Sequence, residues 1–400
     1  MKKLLLSSLI ACSLTSPVMA EDANMTAHQA FKTTLSDVQD QFYRSLRVEE
    51  WIDMGLAAGD FAATVTKLST GKEGLVDLKN HDRPGYWTYE FTQIAKKAEL
   101  NATATNNAQD YDRASVSYLV ASYPNLQRPN ELYALEKAVD LYVKATNLHG
   151  IEVLKVEMKR KDGRSVPGLL HIPKQKKAQA PAIMWSGGVD KTLIEHRKSI
   201  TPMLNKGYVV LTFDMPGAGL DYRNYVEIGN ERASHDAAFS FLSNNKLVDS
   251  NRIGVLGSSG VGPALMDFAL NQDQLKAIVA RCTLVDGPIG NPETLKFIPK
   301  MSADSFIARI GGDIGDMEYF RAIAPKLSLE NKGLFDGKTR IETPLLAINT
   351  KKDPIAMPED VEKTAALSTK GEVYISDEYG HCPDAAEADE KIINFLLEKV

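Results

Sequence analysis

The sequence predicts an α/β protein in which a mostly parallel sheet is flanked by helices and follows a helical N-terminal region. From residue 153 onward, short apolar runs of strand length alternate with helical patterns, which is typical of parallel sheets. Residues 21–150 instead show mainly helical periodicity. The chain has 400 residues, enough for two domains. We therefore divide it into residues 1–20, 21–150 and 151–400.

The first segment has the pattern of a signal peptide. Lys2 and Lys3 form a positive n-region, residues 4–14 form a short apolar core, and a small-residue cleavage site ends at Ala20. The apolar run is too short to span a bilayer, so no transmembrane span is predicted. We expect a periplasmic or secreted protein. The residues before Cys12 also resemble a lipoprotein processing site, so a lipid anchor at Cys12 is the less favoured option.

Four helical stretches are predicted in the second segment, over residues 51–56, 87–98, 114–123 and 132–145. Pro124 and Pro129 interrupt the chain between the last two stretches. The polar segment 101–110 is expected to be a connecting loop. We assign the aromatic residues to core packing, with the lining of a substrate pocket as the second option: Trp51, Trp87, Tyr118 and Tyr142.

The third segment opens with two strand-like runs, residues 153–158 and 169–172, which suggest an antiparallel start to the sheet. The alternation of strands and helices is interrupted at residues 288–343, where we expect helices near the entrance of a site. Arg309 and Arg321 lie in this stretch. Contact with an acidic substrate group is one interpretation of these cations, and surface exposure is the favoured one.

The most informative segment, residues 252–262, has the sequence R-I-G-V-L-G-S-S-G-V-G. A strand, a small-residue turn and a helix pattern follow one another here, which is the setting of a nucleophile elbow, Gly-x-Ser-x-Gly. On this pattern Ser259 is the nucleophile and Gly257 fills the first small position. Val261 stands where the second glycine is expected, and Gly262 follows one residue later. An ordinary turn and a phosphate-binding loop are the alternative interpretations.

Two residues further along occur in the order expected for the partners of such a serine. Asp353 follows the strand-like run 344–349, and His381 follows the run 372–375. The carboxyl ends of parallel strands share one edge of the sheet, so these residues can meet. Imidazole titrates near neutrality, which suits His381 to general-base work, and Asp353 would orient it. The alternatives are a loop histidine and a turn aspartate.

A second loop supplies candidates for an oxyanion hole, which stabilises the charge that develops on a carbonyl oxygen. The strand-like run 181–185 leads into the sequence S-G-G-V-D, residues 186–190. One N–H from such a loop acts with the N–H of the residue after the nucleophile, which here is Gly260. The sequence does not choose between Gly188 and Val189 as the second donor. We expect Asp190 to shape the loop.

Composition narrows the range of ligands. The net charge is −5 and gives no indication of nucleic-acid binding. No cysteine or histidine spacing indicates a metal site, and no cofactor is predicted. Cleavage after Ala20 would leave Cys282 and Cys382. A disulfide that braces the histidine loop and two buried free thiols are equally favoured interpretations of this pair.

The serine turn, Asp353, the Gly380-His381 pair and the D-x-P-G-x-G loop at residues 214–219 together resemble the α/β-hydrolase superfamily. The loop at residues 187–190 and the helical N-terminal region narrow the resemblance to the branch with the fermentation–respiration switch protein and the pseudooxynicotine-type carbon–carbon hydrolases. The resemblance implies a helical cap domain over a hydrolase catalytic domain. It also implies a small-molecule ester or ketone substrate, and it allows a homodimer, because such caps often join subunits.

The favoured function is that of a serine hydrolase that cleaves carboxylic esters through an acyl-enzyme. Hydrolysis of a carbon–carbon bond or of a peptide by the same residues is the first alternative. A binding or regulatory protein with an inactive site is the second, because the resemblance includes members that lack the serine.

Overall fold

A computed structural model of the chain describes residues 46–68, 83–175, 179–291, 293–294, 300–383 and 385–400. The predicted signal peptide, Cys12 and the start of the helical region up to residue 45 lie outside the described residues. Within these described ranges, five helices precede the first strand: α1 (Val48–Asp53), α2 (Ala58–Val65), α3 (Trp87–Thr105), α4 (Ala108–Ser122) and α5 (Pro129–Leu148).

The predicted loop at residues 101–110 is wrong, because nearly all of this segment is helical. Only two residues separate α3 from α4. Asn106 ends α3 in the left-handed conformation, with φ at 51°, and the side chain of Asn107 accepts a hydrogen bond from the N–H of Asp110 at 2.8 Å. This N-cap lets a polar stretch turn sharply without a longer loop.

The aromatic residues of the helical region are buried, as predicted for core packing. Trp51, Trp87, Tyr118 and Tyr142 all belong to one hydrophobic cluster. The indole N–H of Trp87 donates to the carbonyl of Val120 at 2.7 Å, so its polar atom is satisfied inside this core. The cluster extends onto the first two strands of the sheet, which joins the helices to the rest of the fold.

Eight strands form one sheet: β1 (Glu152–Lys159), β2 (Ser165–Ile172), β3 (Ala180–Ser186), β4 (Val209–Phe213), β5 (Val248–Ser258), β6 (Ala277–Arg281), β7 (Leu345–Lys352) and β8 (Gly371–Tyr379). Their spatial order is β1-β2-β4-β3-β5-β6-β7-β8. The β1–β2 and β2–β4 pairs are antiparallel, and all later pairs are parallel. The predicted fold class is therefore confirmed.

Helices cover both faces of the sheet: α6 (Arg197–Asn205), α7 (Ala233–Ser243), α8 (Gly262–Leu270), α9 (Gly287–Gly290), α10 (Lys300–Arg309), α11 (Met317–Ile323), α12 (Pro358–Ala365) and α13 (Ala386–Lys399). The side chains of β3 pack alternately into two hydrophobic cores, one on each face of the sheet. Ala182 and Met184 belong to one core, and Ile183 and Trp185 belong to the other. A strand buried on both faces is apolar throughout, which explains its continuous apolar run.

The described helices bear on two expectations from the sequence. α9, α10 and α11 lie in the stretch that interrupts the alternation of strands and helices, as predicted. None of the helices within the described ranges combines the length and the hydropathy needed to cross a membrane.

Candidate active site

Ser259 begins the sharp turn between β5 and α8. Its φ is 57°, in the left-handed region that non-glycine residues rarely adopt, so the turn is strained as a nucleophile elbow requires. The second close approach falls at Gly262, where a Cβ would lie 2.7 Å from the carbonyl oxygen of Leu284. The side chain of Val261 turns inward instead, and a Cβ on Gly257 would lie 2.8 Å from its Cγ1. The shifted glycine is therefore compatible with the elbow.

The structure brings Ser259, His381 and Asp353 into one chain of contacts. The hydroxyl oxygen of Ser259 lies 2.7 Å from Nε2 of His381. Nδ1 of His381 lies 2.9 Å from Oδ2 and 3.0 Å from Oδ1 of Asp353. The Asp353 carboxylate also accepts hydrogen bonds from the N–H groups of Ile355 and Ala356, at 2.7 and 2.9 Å. These fixed donors hold the carboxylate toward the imidazole.

The histidine loop is braced on both sides of His381. The hydroxyl of Thr350 donates to the carbonyl of Gly380 at 2.7 Å, and the Arg281 guanidinium donates to the carbonyl of Pro383. A disulfide joins Cys382 to Cys282, which follows β6. Of the two interpretations of this cysteine pair, the structure has the disulfide. Both sulfur atoms and a ring nitrogen of His381 lie within 4.8 Å of one another, but disulfide sulfurs have no thiolate to offer a metal ion.

The loop after β3 lies directly against the serine. A Cβ on Gly188 would lie 2.9 Å from the Cβ of Ser259, so only glycine fits at this position. The Val189 side chain covers Gly260, where a Cβ would lie 2.4 Å from the Val189 Cγ1. All three predicted oxyanion candidates, Gly188, Val189 and Gly260, therefore surround Ser259.

Arg309, on α10, fastens this loop from behind. Its Nε and Nη2 donate to the carbonyl of Val189 at 2.9 and 2.7 Å, and Nη2 also donates to the carbonyl of Asn125 at 2.8 Å. The favoured prediction of surface exposure is wrong for Arg309, which is completely buried, whereas Arg321 is exposed. Burial lowers the pKa of Arg309 to about 10, so the guanidinium stays charged at neutral pH.

Two residues of the helical region hold the next residue of the loop. The Tyr123 hydroxyl donates to the Asp190 carboxylate at 3.0 Å, and Arg47 Nη2 donates to the Asp190 carbonyl at 3.0 Å. Arg47 also donates to Glu195 at 2.8 Å. Although burial opposes it, Glu195 and Asp190 raise the pKa of Arg47 well above its ordinary value. Asp190 thus shapes the loop, as its position in the sequence suggests.

Asp214, which directly follows β4, secures the far end of the same loop. Its carboxylate accepts hydrogen bonds from the N–H groups of Leu193 and Leu220, both at 2.8 Å. Burial raises the pKa of Asp214 to about 7, against the opposing effect of these two hydrogen bonds. The roles of Arg47, Tyr123 and Arg309 have no signal in the sequence, because their contacts join residues 67 to 184 positions apart.

A pocket opens at the Ser259 hydroxyl. Val189, Gly260 and His381 border it together with Ser259. Its remaining described walls come from α10, α11 and two loops: Leu284, Ser302, Ala303, Phe306, Phe320 and Ile355. Most of these side chains are apolar, so the pocket suits an uncharged group.

The sheet order, the strained serine turn and the adjoining histidine and aspartate define a protein of the α/β-hydrolase class. A family model described as esterase FrsA-like matches residues 11–396. The chain therefore belongs to the FrsA-like esterase family.

Individual relatives agree with this assignment. Esterase FrsA of Vibrio cholerae serotype O1 (strain M66-2) is 26% identical over 372 residues, which cover 88% of each chain. Esterase FrsA of Photobacterium profundum is 24% identical over 364 residues, which cover 86% of this chain and 85% of the relative.

Two solved structures share the fold. The 2,6-dihydroxy-pseudo-oxynicotine hydrolase is 19% identical, with a TM-score of 0.68, over 88% of this chain and 97% of its own. AbyA5 is 16% identical, with a TM-score of 0.64, over 84% of this chain and 89% of its own. The predicted resemblance is thus confirmed in both the family and the fold.

Proposed function

We propose that the protein is a serine hydrolase that cleaves a carboxylic ester through an acyl-enzyme. The observation that supports this most is the contact chain from Ser259 through His381 to Asp353, which starts at a strained serine turn. The family name and the names of the relatives are those of esterases, which favours an ester over a peptide or a carbon–carbon bond.

In the acylation step, Ser259 Oγ attacks the ester carbonyl carbon and its proton passes to Nε2 of His381. Asp353 stabilises the imidazolium from the Nδ1 side. The N–H of Gly260, with an N–H of Gly188 or Val189, donates to the oxyanion that forms. The protonated His381 then gives its proton to the leaving oxygen, and the alcohol departs.

In the second step, water attacks the acyl carbon of the acyl-enzyme. His381 takes one proton from that water and returns it to the Ser259 oxygen as the carboxylic acid leaves. Neither step needs a group beyond the protein, the ester and water.

The proposal includes the destination of the protein. The pattern of residues 1–20 supports export to the periplasm or beyond, with the Cys12 anchor as the less favoured route. Fractionation of cells, with sequencing of the mature N-terminus, tests the proposed export. A mature N-terminus at Glu21 is expected, and a mature chain that begins at Cys12 would favour the lipid anchor. Light scattering of the purified protein tests the homodimer that the resemblance allows.

The activity is tested with 4-nitrophenyl esters and a matched pair of serine variants. Ser259→Ala removes the proposed nucleophile, whereas Ser258→Ala removes the buried neighbouring hydroxyl at the end of β5. We expect Ser259→Ala to lose at least about 10³-fold in kcat and Ser258→Ala to stay within about 10-fold of the wild type. Comparable hydrolysis by wild type and Ser259→Ala would contradict the proposed mechanism.

A further inference from the structure

The pocket at Ser259 has one polar wall residue among apolar ones. Of the described residues that line it, Ser302 is the one polar side chain besides Ser259 and His381. Phe306 and Phe320 form an apolar part of the wall, with their ring centroids 5.6 Å apart. A hydroxyl group in such surroundings needs a hydrogen-bond partner.

Ser302 has no such partner among the described residues of the protein. Its side chain is buried, with 8% of the residue exposed, and its oxygen makes no hydrogen bond there. In an α-helix, residues four positions apart share a face, so Ser302 lies on the same face of α10 as Phe306, which also lines the pocket. A substrate atom in the pocket is therefore the available partner for this hydroxyl.

The same helix offers a comparison. Ser305 is also buried, and its hydroxyl also makes no hydrogen bond to the described part of the chain, but it is not among the residues that line the pocket. Ser302 and Ser305 thus share residue type, helix and burial, and they differ in access to the substrate.

We infer that Ser302 determines specificity by hydrogen-bonding an oxygen on the acyl chain of the substrate, so that the preferred substrates are esters whose acyl chain carries an ether or hydroxyl oxygen. The inference rests on the proposed ester hydrolysis. The acyl group is the part to consider, because it is bonded to Ser259 in the acyl-enzyme and its carbonyl oxygen faces Gly260. Both residues line the pocket.

Two esters of equal size test this. 4-Nitrophenyl methoxyacetate has an ether oxygen where 4-nitrophenyl butyrate has a methylene group. The quantity measured is the ratio of their kcat/KM values, methoxyacetate over butyrate, in each variant. The two esters differ in intrinsic reactivity, but this difference is the same whichever variant hydrolyses them. A change in the ratio between variants therefore reports the contact in the pocket.

We expect Ser302→Ala to lower this ratio by about 3- to 10-fold, the usual effect of one neutral hydrogen bond. Ser302→Thr keeps a hydroxyl and should retain most of the ratio. Ser305→Ala should leave it at the wild-type value. Ser302→Ala removes an unpaired buried hydroxyl, so thermal unfolding should show no loss of stability.

Each outcome decides one statement. An unchanged ratio in a folded, active Ser302→Ala would overturn the inference and leave ester hydrolysis intact. An equal fall of the ratio in Ser305→Ala would also overturn it, because the effect would then not come from the pocket. Failure of the wild type to hydrolyse either ester would overturn the proposed function, and the inference with it.

Discussion

The two sides of Ser259 are held in different ways. On the histidine side, the braces come from the sheet and its loops, through Thr350, Arg281 and the disulfide between Cys282 and Cys382. On the oxyanion side, they come from the helical region and from α10.

Arg47 and Tyr123 bind the oxyanion loop from the helical region, and Arg309 links its Val189 carbonyl to that of Asn125. The difference teaches that the helical region contributes to the site through the oxyanion loop, which it helps to fix. The described braces of the His381 loop come instead from the sheet and its loops.

The largest effect is expected on the histidine side, for Asp353→Asn. An amide cannot hold the imidazole in the required tautomer or stabilise the imidazolium, so kcat should fall by about 10³- to 10⁴-fold. Steady-state kinetics measures this. Asp377→Asn is the matched control, because the side chain of Asp377 is 98% exposed. A kcat within about 10-fold of wild type in Asp353→Asn would remove Asp353 from the mechanism.

The next effect is expected on the oxyanion side, for Arg309→Met. Loss of the guanidinium frees the Val189 carbonyl, and the misplaced loop should lower kcat by about 10- to 100-fold with a smaller change in KM. Arg309→Lys should recover only part of kcat, because one ammonium does not reproduce the planar fork of donors.

The control for Arg309 is the exposed Arg321, as Arg321→Met. Circular dichroism verifies that each variant is folded. If folded Arg309→Met turned over esters at the wild-type rate, the link that Arg309 makes from Asn125 to the Val189 carbonyl would not position the loop, and this part of the comparison would be wrong.

A smaller effect on turnover is expected for Cys282→Ala with Cys382→Ala. His381 keeps its other braces, so kcat should fall only a few-fold. The disulfide closes a loop with a sequence separation of 100, and its loss should lower the free energy of unfolding by about 2–4 kcal/mol. Urea unfolding with and without dithiothreitol measures this. Reductant should lower the free energy of unfolding of the wild type and leave that of the double variant unchanged. The reverse pattern would contradict a stabilising disulfide between Cys282 and Cys382.

The smallest effect on turnover is expected for Asp214→Asn, where the change appears in stability instead. The raised pKa of Asp214, about 7, means that the fold prefers the protonated carboxyl. That stabilisation is complete below the ordinary carboxyl pKa near 4 and is lost as pH rises through about 7, on the order of 1 kcal/mol per unit.

Urea unfolding at several pH values checks the Asp214 prediction. Between about pH 4 and pH 7, the free energy of unfolding of the wild type should fall relative to that of Asp214→Asn. Parallel pH dependences in the two proteins would show that Asp214 titrates alike in the folded and unfolded chains.

The sequence was sufficient to predict those parts of the site whose residues directly follow a strand. Ser259, Asp353 and His381 each follow a strand, and parallel strands open at one edge, so pattern and topology together predicted that they would meet. The glycine shift at Val261 looked like a departure. The structure explains it, because the Leu284 backbone packs against residue 262 and leaves no room there for a Cβ.

The supports of the oxyanion loop could not be predicted in this way. Arg309 looks like any other helix cation in the sequence, and its burial depends on carbonyl groups 120 and 184 positions away. The prediction of a loop at residues 101–110 failed for a different reason, because the polar composition there obscured the end of α3 and the start of α4, which an asparagine pair joins in a tight turn.

The most direct test of the proposed mechanism is the reaction of the purified mature protein with a fluorophosphonate probe, followed by mass spectrometry of the labelled peptide. We predict a single label on Ser259 rather than on the adjacent Ser258, with labelling lost in His381→Ala. A folded protein that takes no label, or takes it on Ser258, would contradict the claim that Ser259 is an activated nucleophile.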